Sequence, residues 1–253
     1  MGSMARVVAI LNQKGGVGKT VVTLGLASAA AMAGNRVLVV DLDPQASSTW
    51  VLGVDPATVE VSTAEVIGRT NAAQAIVTSD WSPLIDALPA SARLQGRETG
   101  TPNRLRTALR ELTDDYDAIL IDCPPSLGNL TISGLTAADH ALLVVEPSAL
   151  GLRGVGAVTD TIDDVWDSTN PELSLAGVIV NKVPAVSTEA DRRYDDLIRL
   201  VGKKSIWQPS IPQRVIINQA IGERCPIHGY GTRSTEVSDV FDKLWQRLRR
   251  TVR

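Results

Sequence analysis

Short apolar runs rich in Val, Ile, Leu and Ala recur along the chain, and longer stretches between them return apolar residues every three or four positions. The runs Val7–Leu11, Arg36–Asp41, Leu84–Leu88, Ala118–Asp122, Ala141–Val145 and Leu175–Val180 are apolar almost throughout. Such runs predict strands buried on both faces rather than half-exposed ones. Helical spacing covers Thr20–Ala33, which Gly34-Asn35 closes, and the segments 103–113, 129–137, 151–166 and 188–201. Strands alternating with helices predict an α/β fold: a mostly parallel sheet flanked by helices on both faces, in a single domain over residues 6–253. The segment 91–103, rich in Ser, Gly, Thr and Pro, predicts a mobile loop. In 235–252, Val237, Val240, Phe241, Leu244, Trp245 and Leu248 share one helical face, opposite Lys243, Arg247, Arg249 and Arg250. That pattern predicts a terminal helix docked on the sheet rather than a membrane anchor.

Composition narrows the class. No apolar run reaches the roughly 18 residues of a membrane span, and no signal peptide is visible. Cys123 and Cys225 have no metal-ligand spacing and suggest no disulfide framework, which fits a reduced, cytoplasmic setting. Met1-Gly2-Ser3 ahead of Met4 reads as a cloning remnant, so residues 1–5 are set apart from the fold. The net charge of −3 conceals an asymmetry: residues 192–253 hold 13 of the 25 Lys/Arg but only 6 of the 28 Asp/Glu. An acidic body with a basic last quarter points to a surface for a polyanion.

The strongest chemical signal lies between the first strand and the first helix, in Lys14-Gly15-Gly16-Val17-Gly18-Lys19-Thr20, with Val21 behind it. Three glycines let main-chain N–H groups turn inward around phosphate oxygens, and the helix start adds its positive dipole end. Lys19 can reach β- and γ-phosphates, and Thr20 can offer its hydroxyl to Mg²⁺. Lys14 and Lys19, with no acid adjacent in the loop, would repel each other unless a polyphosphate lay between them. After the second strand, Asp41 and Asp43 are two apart and so aim at one crevice at the strand carboxyl ends. One carboxylate there could hold a water for attack on a terminal phosphate. Asp122 ends a buried strand at a spacing that suits a magnesium-holding carboxylate. Asn181, ending another, could face a base edge.

These motifs resemble the deviant Walker A P-loop ATPases of the ParA/MinD family, and more closely the ParA/Soj DNA-partitioning type. The resemblance rests on Lys14 to Thr20, on Asp41-Leu42-Asp43-Pro44-Gln45, and on Asp122-Cys123-Pro124-Pro125-Ser126-Leu127-Gly128, and it runs over nearly the whole chain. It implies an ATPase of weak intrinsic activity with ATP and Mg²⁺ as cofactors. Lys14 would cross an ATP-sandwiched homodimer to the partner's nucleotide. Asp43 would position the attacking water, making Lys14, Lys19 and Asp43 the catalytic set. Thr20, Asp43 and Asp122 would hold magnesium, with Asp41 supporting its shell. Asn181 and Lys182 would contact adenine, and Pro212 and Val215 would close its pocket, in a segment similar to the family's Ile-Pro-Arg-Asn-Val-Arg. Gln213, Arg214 and Ile216 depart from that segment, the last where relatives carry a DNA-binding arginine. DNA contact is therefore expected from charge, at Arg192, Arg193, Lys203, Lys204, Arg214 and Arg233. The implied partners are a second copy, non-specific double-stranded DNA and a ParB-like centromere-binding protein, in a nucleoid-associated cycle without stable membrane association. The absence of an N-terminal helix-turn-helix extension matches the short ParA forms. A MinD-like membrane-cycling regulator and a nucleoid-based cargo-positioning ATPase, such as one for carboxysomes, remain alternatives. A metabolic P-loop ligase or metal carrier would need a substrate or cluster site, and no motif supplies one.

Overall fold

A computed structural model describes residues 4–97 and 101–252. Among them, seven strands make one sheet: β1 (Arg6–Leu11), β2 (Val37–Asp41), β3 (Val77–Thr78), β4 (Ile85–Leu88), β5 (Ala118–Asp122), β6 (His140–Val145) and β7 (Ser174–Val180). The order across the sheet is β3-β4-β2-β5-β1-β6-β7, parallel throughout except for β3, which runs against β4 at the edge. The helices are α1 (Lys19–Met32), α2 (Ser47–Val51), α3 (Thr63–Ile67), α4 (Asn103–Arg110), α5 (Asn129–Ala137), α6 (Ala149–Ser168), α7 (Thr188–Val201), α8 (Val215–Gly222) and α9 (Thr235–Thr251).

Successive strand residues point to opposite faces, so the sheet divides the interior into two cores. Val7, Ala9 and Leu11 join a cluster with α3 to α7, whereas Val8 and Ile10 join one with α1, α8 and α9. Both faces are thus covered, which is why the strands read as continuous apolar runs. On the second face α9 packs along α1, and Gly25 leaves room there for the Phe241 ring. Val237, Phe241, Leu244, Trp245 and Leu248 are each at most 3% exposed, and Val240 packs half-buried beside them, so the core takes up the apolar side of α9. No helix among the described residues is long and apolar enough to cross a membrane.

The predicted elements recur with shifts of a residue or two at most ends. β6 and β7 each begin one residue early, and α4 stops at Arg110 rather than at 113. α6 begins at Ala149 because Ser148 caps it, its Oγ accepting from the Gly151 N–H at 3.1 Å. The hydrophobic pattern had no counterpart for α2, α3, β3 and α8. Within the expected mobile loop, Ala92–Arg97 form a 3-10 turn with Leu94 buried, while residues 98–100 lie outside the described residues. So do Met1-Gly2-Ser3, read as a remnant.

Candidate active site

The strand order explains why distant motifs meet. β5 lies between β1 and β2, with Asp122 in register with Ile10 on one side and Asp41 on the other. The loop after β1, the carboxylates ending β2 and β5, and the residues leaving β6 and β7 therefore open on one crevice at the strand carboxyl ends.

At its centre the chain passes from β1 through Asn12–Gly18 into α1. Gly16 and Gly18 have φ of 79° and 91°, left-handed values that suit glycine. The loop is braced from both flanks. Asn12 donates through Nδ2 to the Val144 carbonyl at 2.6 Å and accepts from the Lys14 N–H at 2.9 Å. Asn181 donates through Nδ2 to the Val17 carbonyl at 2.7 Å, and Lys182 donates to the Gly16 carbonyl. The loop's carbonyls are thus drawn outward, while the main-chain N–H groups of Gly15, Gly16, Val17 and Gly18 donate to nothing among the described residues. Orphaned donors in a row at a helix start are what an anion would satisfy.

The side chains repeat this incompleteness. Lys19 is 7% exposed, and its ammonium makes no hydrogen bond or ion pair among the described residues. Burial lowers its pKa, against the opposing pull of Asp122, Cys123 and Asp43. Thr20 donates to Asp122 Oδ2 at 2.7 Å, while Asp122 Oδ1 is buried without a hydrogen-bond partner among the described residues. Desolvation, then repulsion from Asp41, raises the Asp122 pKa to about 7. Asp41 is raised to about 6, chiefly by desolvation, although it accepts from the Thr49 N–H at 2.9 Å, the Thr49 hydroxyl at 2.7 Å and the Asp43 N–H at 3.0 Å. Asp43 is half-buried at the mouth, with Oδ1 accepting from the Gln45 N–H at 2.9 Å. Unshared N–H donors, an unshared ammonium and an unshared carboxylate oxygen together fit a phosphate chain with a divalent cation. Lys19 and the loop would hold the phosphates, and Thr20 and Asp122 the magnesium.

The structure corrects several expectations. Lys14 does not face Lys19 unneutralised: Glu146, at the end of β6, accepts from Lys14 Nζ at 2.6 Å and from Lys182 Nζ at 3.2 Å. Those contacts hold the Glu146 carboxyl below its ordinary pKa against the effect of its burial. The acid was missed because it lies 132 residues from Lys14 in sequence; the signal was an acidic residue directly after a strand adjacent to the loop. Asp41 is tied up by α2 and supports the crevice floor from behind. Asn181 uses an N–H donor on the loop, so less of its amide is left for a base edge. A pocket of about 100 Å³ beside it is lined by Val21, Asn181, Lys182, Pro212, Ile217 and Asn218, among others. Val215 is not among its lining residues; it is 73% exposed on the first turn of α8. Ile217 and Asn218, not singled out from sequence, take that place.

Of the basic residues expected at DNA, Arg193 is paired with Glu189 and Asp196, and Arg214 with Glu236. Arg192, Lys203, Lys204 and Arg233 are exposed and have no ion-pair partner among the described residues. Cys123 is buried packing, its thiol pushed up by desolvation.

A family model described as an AAA domain matches residues 5–175. The sporulation initiation inhibitor protein Soj of Bacillus subtilis is 33% identical over 237 residues, covering 91% of this chain and 93% of Soj. The chain belongs to the ParA/Soj family of P-loop ATPases. The chromosome partitioning protein ParA of Myxococcus xanthus is likewise 33% identical, over 90% of this chain and 80% of its own length. Among solved structures, one named cobyrinic acid a,c-diamide synthase, from Mycobacterium smegmatis with bound ADP and magnesium, superposes with a TM-score of 0.84. It is 35% identical, covering 98% of this chain and 95% of that one. As a ParA/Soj-family member the protein is an ATPase with ATP and magnesium as cofactors.

Proposed function

We propose that this ATPase is a DNA-partitioning switch in which Mg-ATP joins two copies, the joined pair binds DNA without sequence preference, and hydrolysis releases it. The observation that carries the reading is the division between the loop's two lysines. Lys19 lies buried within its own cradle, whereas Lys14 sits at the rim on Glu146 with its side chain 29% exposed. An ammonium at the rim can reach a triphosphate in a second copy facing the first. Crossing would bring a positive charge to the phosphates as negative charge develops there, the role of an electrostatic clamp.

Within one copy, Lys19 and the N–H groups of the loop hold the phosphates, and Thr20, Asp43 and Asp122 hold magnesium with Asp41 behind them. Magnesium there would neutralise phosphate charge and polarise the group under attack. Asp43, at the open side of the crevice, orients the water. Asn181, Lys182 and Pro212 border the base, with Ile217 and Asn218 in the place expected of Val215. The DNA surface comprises the unpaired Arg192, Lys203, Lys204 and Arg233. ATP shifts DNA binding only if the pair of copies binds DNA better than one does; joining two copies doubles the basic patch. A ParB-like partner that stimulates hydrolysis completes the cycle.

A membrane-cycling regulator is less well supported, because the apolar face of α9 is buried against α1 and the sheet. A cargo-positioning ATPase would share the DNA cycle and differ in the load it carries. The test is DNA binding with ATP, with ADP and without nucleotide, across a salt series. The reading expects binding that needs ATP and falls steeply with salt. Equal binding in all three states would refute the switch, and salt-insensitive binding would refute the phosphate-contact model.

A further inference from the structure

Two buried polar side-chain atoms at the crevice floor have no hydrogen-bond partner among the described residues, Ser48 Oγ and Asp122 Oδ1. They come from different elements, Ser48 from α2 and Asp122 from the end of β5. Ser48 is 0% exposed. Its position is fixed by its neighbour, since the Thr49 N–H and hydroxyl both donate to Asp41. Asp41 and Asp122 stand side by side in register on β2 and β5. The Ser48 hydroxyl is near enough to both carboxylates to favour their charged forms.

Leaving a hydroxyl and a carboxylate oxygen buried and open is costly, and alanine would fill the same space at less cost. The other oxygen of Asp122 already takes the Thr20 hydroxyl, and Asp41 is shared between Thr49 and the Asp43 N–H. What the floor lacks is a donor with two hydrogens, which is what a cation-bound water offers. The hydroxyl hydrogen of Ser48 then remains free to turn toward Asp41.

We propose that Ser48 is a positioning residue for magnesium, holding with Asp122 Oδ1 one water of the ion's shell. The inference rests on reading the crevice as the Mg-nucleotide site. Ser48 touches neither phosphate nor attacking water; it acts by orienting the shell, as partners outside the direct ligands commonly do.

Calorimetric titration of ADP into nucleotide-free protein, in EDTA and across a magnesium series, tests this with no turnover involved. Ser48→Ala is expected to raise the half-saturating magnesium about 10-fold or more while leaving EDTA-state ADP affinity within about twofold of wild type. Its nucleotide-free melting temperature should fall only slightly, since the hydroxyl makes no hydrogen bond among the described residues yet helps keep both carboxylates charged. Ser48→Cys keeps the volume with a poor acceptor and should follow alanine, which covers the case of an alanine variant that melts early. A wild-type magnesium response in both variants would overturn the proposal. So would an equal loss of affinity with and without magnesium, the signature of a packing role. If wild type itself gained nothing from magnesium, the reading of the crevice would fail along with the inference, a result distinguishable from failure in the variants alone.

Discussion

Lys14 Nζ and Glu146 Oε2 lie 2.6 Å apart, joining the rim of the phosphate loop to the end of β6. The same carboxylate takes Lys182 Nζ, which also reaches the Gly16 carbonyl. Glu146 therefore holds Lys14 within its own subunit. If Lys14 is to reach a nucleotide in a second copy, this ion pair opposes the movement. Glu146→Gln should then lower the ATP concentration needed for dimerisation. A partly exposed pair of this kind is worth at most about 1 kcal/mol, so the shift should be no more than about fivefold. Light scattering at graded ATP would measure it, and a higher ATP requirement in the variant would contradict the idea that the pair restrains Lys14.

The two carboxylates after β2 differ in engagement, and so should their variants. Asp41 is consumed by Thr49 and the Asp43 N–H, whereas Asp43 stands half-buried at the mouth. Asp43→Ala should cut phosphate release by about 10²-fold or more while ATP binding persists, trapping paired copies on DNA. Lys19→Ala should instead abolish nucleotide binding, because Lys19 is the buried ammonium of the cradle, whereas Lys14 and Lys182 are held at its rim by Glu146. Hydrolysis at the normal rate in Asp43→Ala would remove Asp43 from the mechanism.

The six parallel strands were legible because they are buried on both faces, whereas the two exposed residues of edge strand β3 left no pattern. Ala118–Asp122 was bounded correctly from apolar continuity, since a charged residue closes the apolar run even though it stays buried at the crevice floor. The phosphate loop was legible because glycine, lysine and threonine at that spacing have few other uses. Glu146 and Ser48 were not, because each gains its meaning from a neighbour far away in sequence. Val215 was expected at the pocket from a similar segment; the first turn of α8 aims it outward and brings Ile217 and Asn218 in. α3 could have been found: Ser62 and Glu65 make a capping box, Ser62 Oγ accepting from the Ala64 N–H and Glu65 from the Ser62 N–H. α8, with little polar interruption in Val-Ile-Ile-Asn-Gln-Ala-Ile-Gly, carries no clear helical period.

Charge pairing sorts the basic residues expected at DNA. Arg193 and Arg214 are each held by acids of this chain, whereas Lys203 and Lys204 are exposed and unpaired among the described residues. An arginine already neutralised releases fewer counterions on meeting phosphate. Lys203→Ala with Lys204→Ala should weaken ATP-dependent DNA binding and flatten its salt dependence, by about 0.9 in log–log slope for each phosphate no longer neutralised. Arg193→Ala and Arg214→Ala should change that slope little. Filter binding across a salt series distinguishes them, and an equal drop for all four would mean that the ion pairs open on DNA.

The carboxylate pair at the crevice floor makes stability depend on pH in a direction opposite to that of an ordinary paired acid. In the folded chain without ligand, burial raises both carboxyls above an ordinary 3.8, Asp122 to about 7 and Asp41 to about 6, Asp122 being pushed further by its neighbour's charge. Between those values the folded state binds more protons than the unfolded one, so stability falls as pH rises through the window. Below the ordinary value both states are protonated and the penalty vanishes; above about 7 it is present in full. Asp122→Asn removes a carboxylate that is costly to bury and, with it, the repulsion of Asp41. In nucleotide-free, magnesium-free buffer the variant should therefore melt progressively higher than wild type as pH goes from about 5 to about 8. Saturating Mg-ADP should reverse the order, because the wild-type carboxylate then serves a cation that the amide cannot. A gap between the two melting curves that stayed constant with pH would mean that neither the burial of Asp122 nor its repulsion from Asp41 disfavours the charged carboxylate in the unliganded protein.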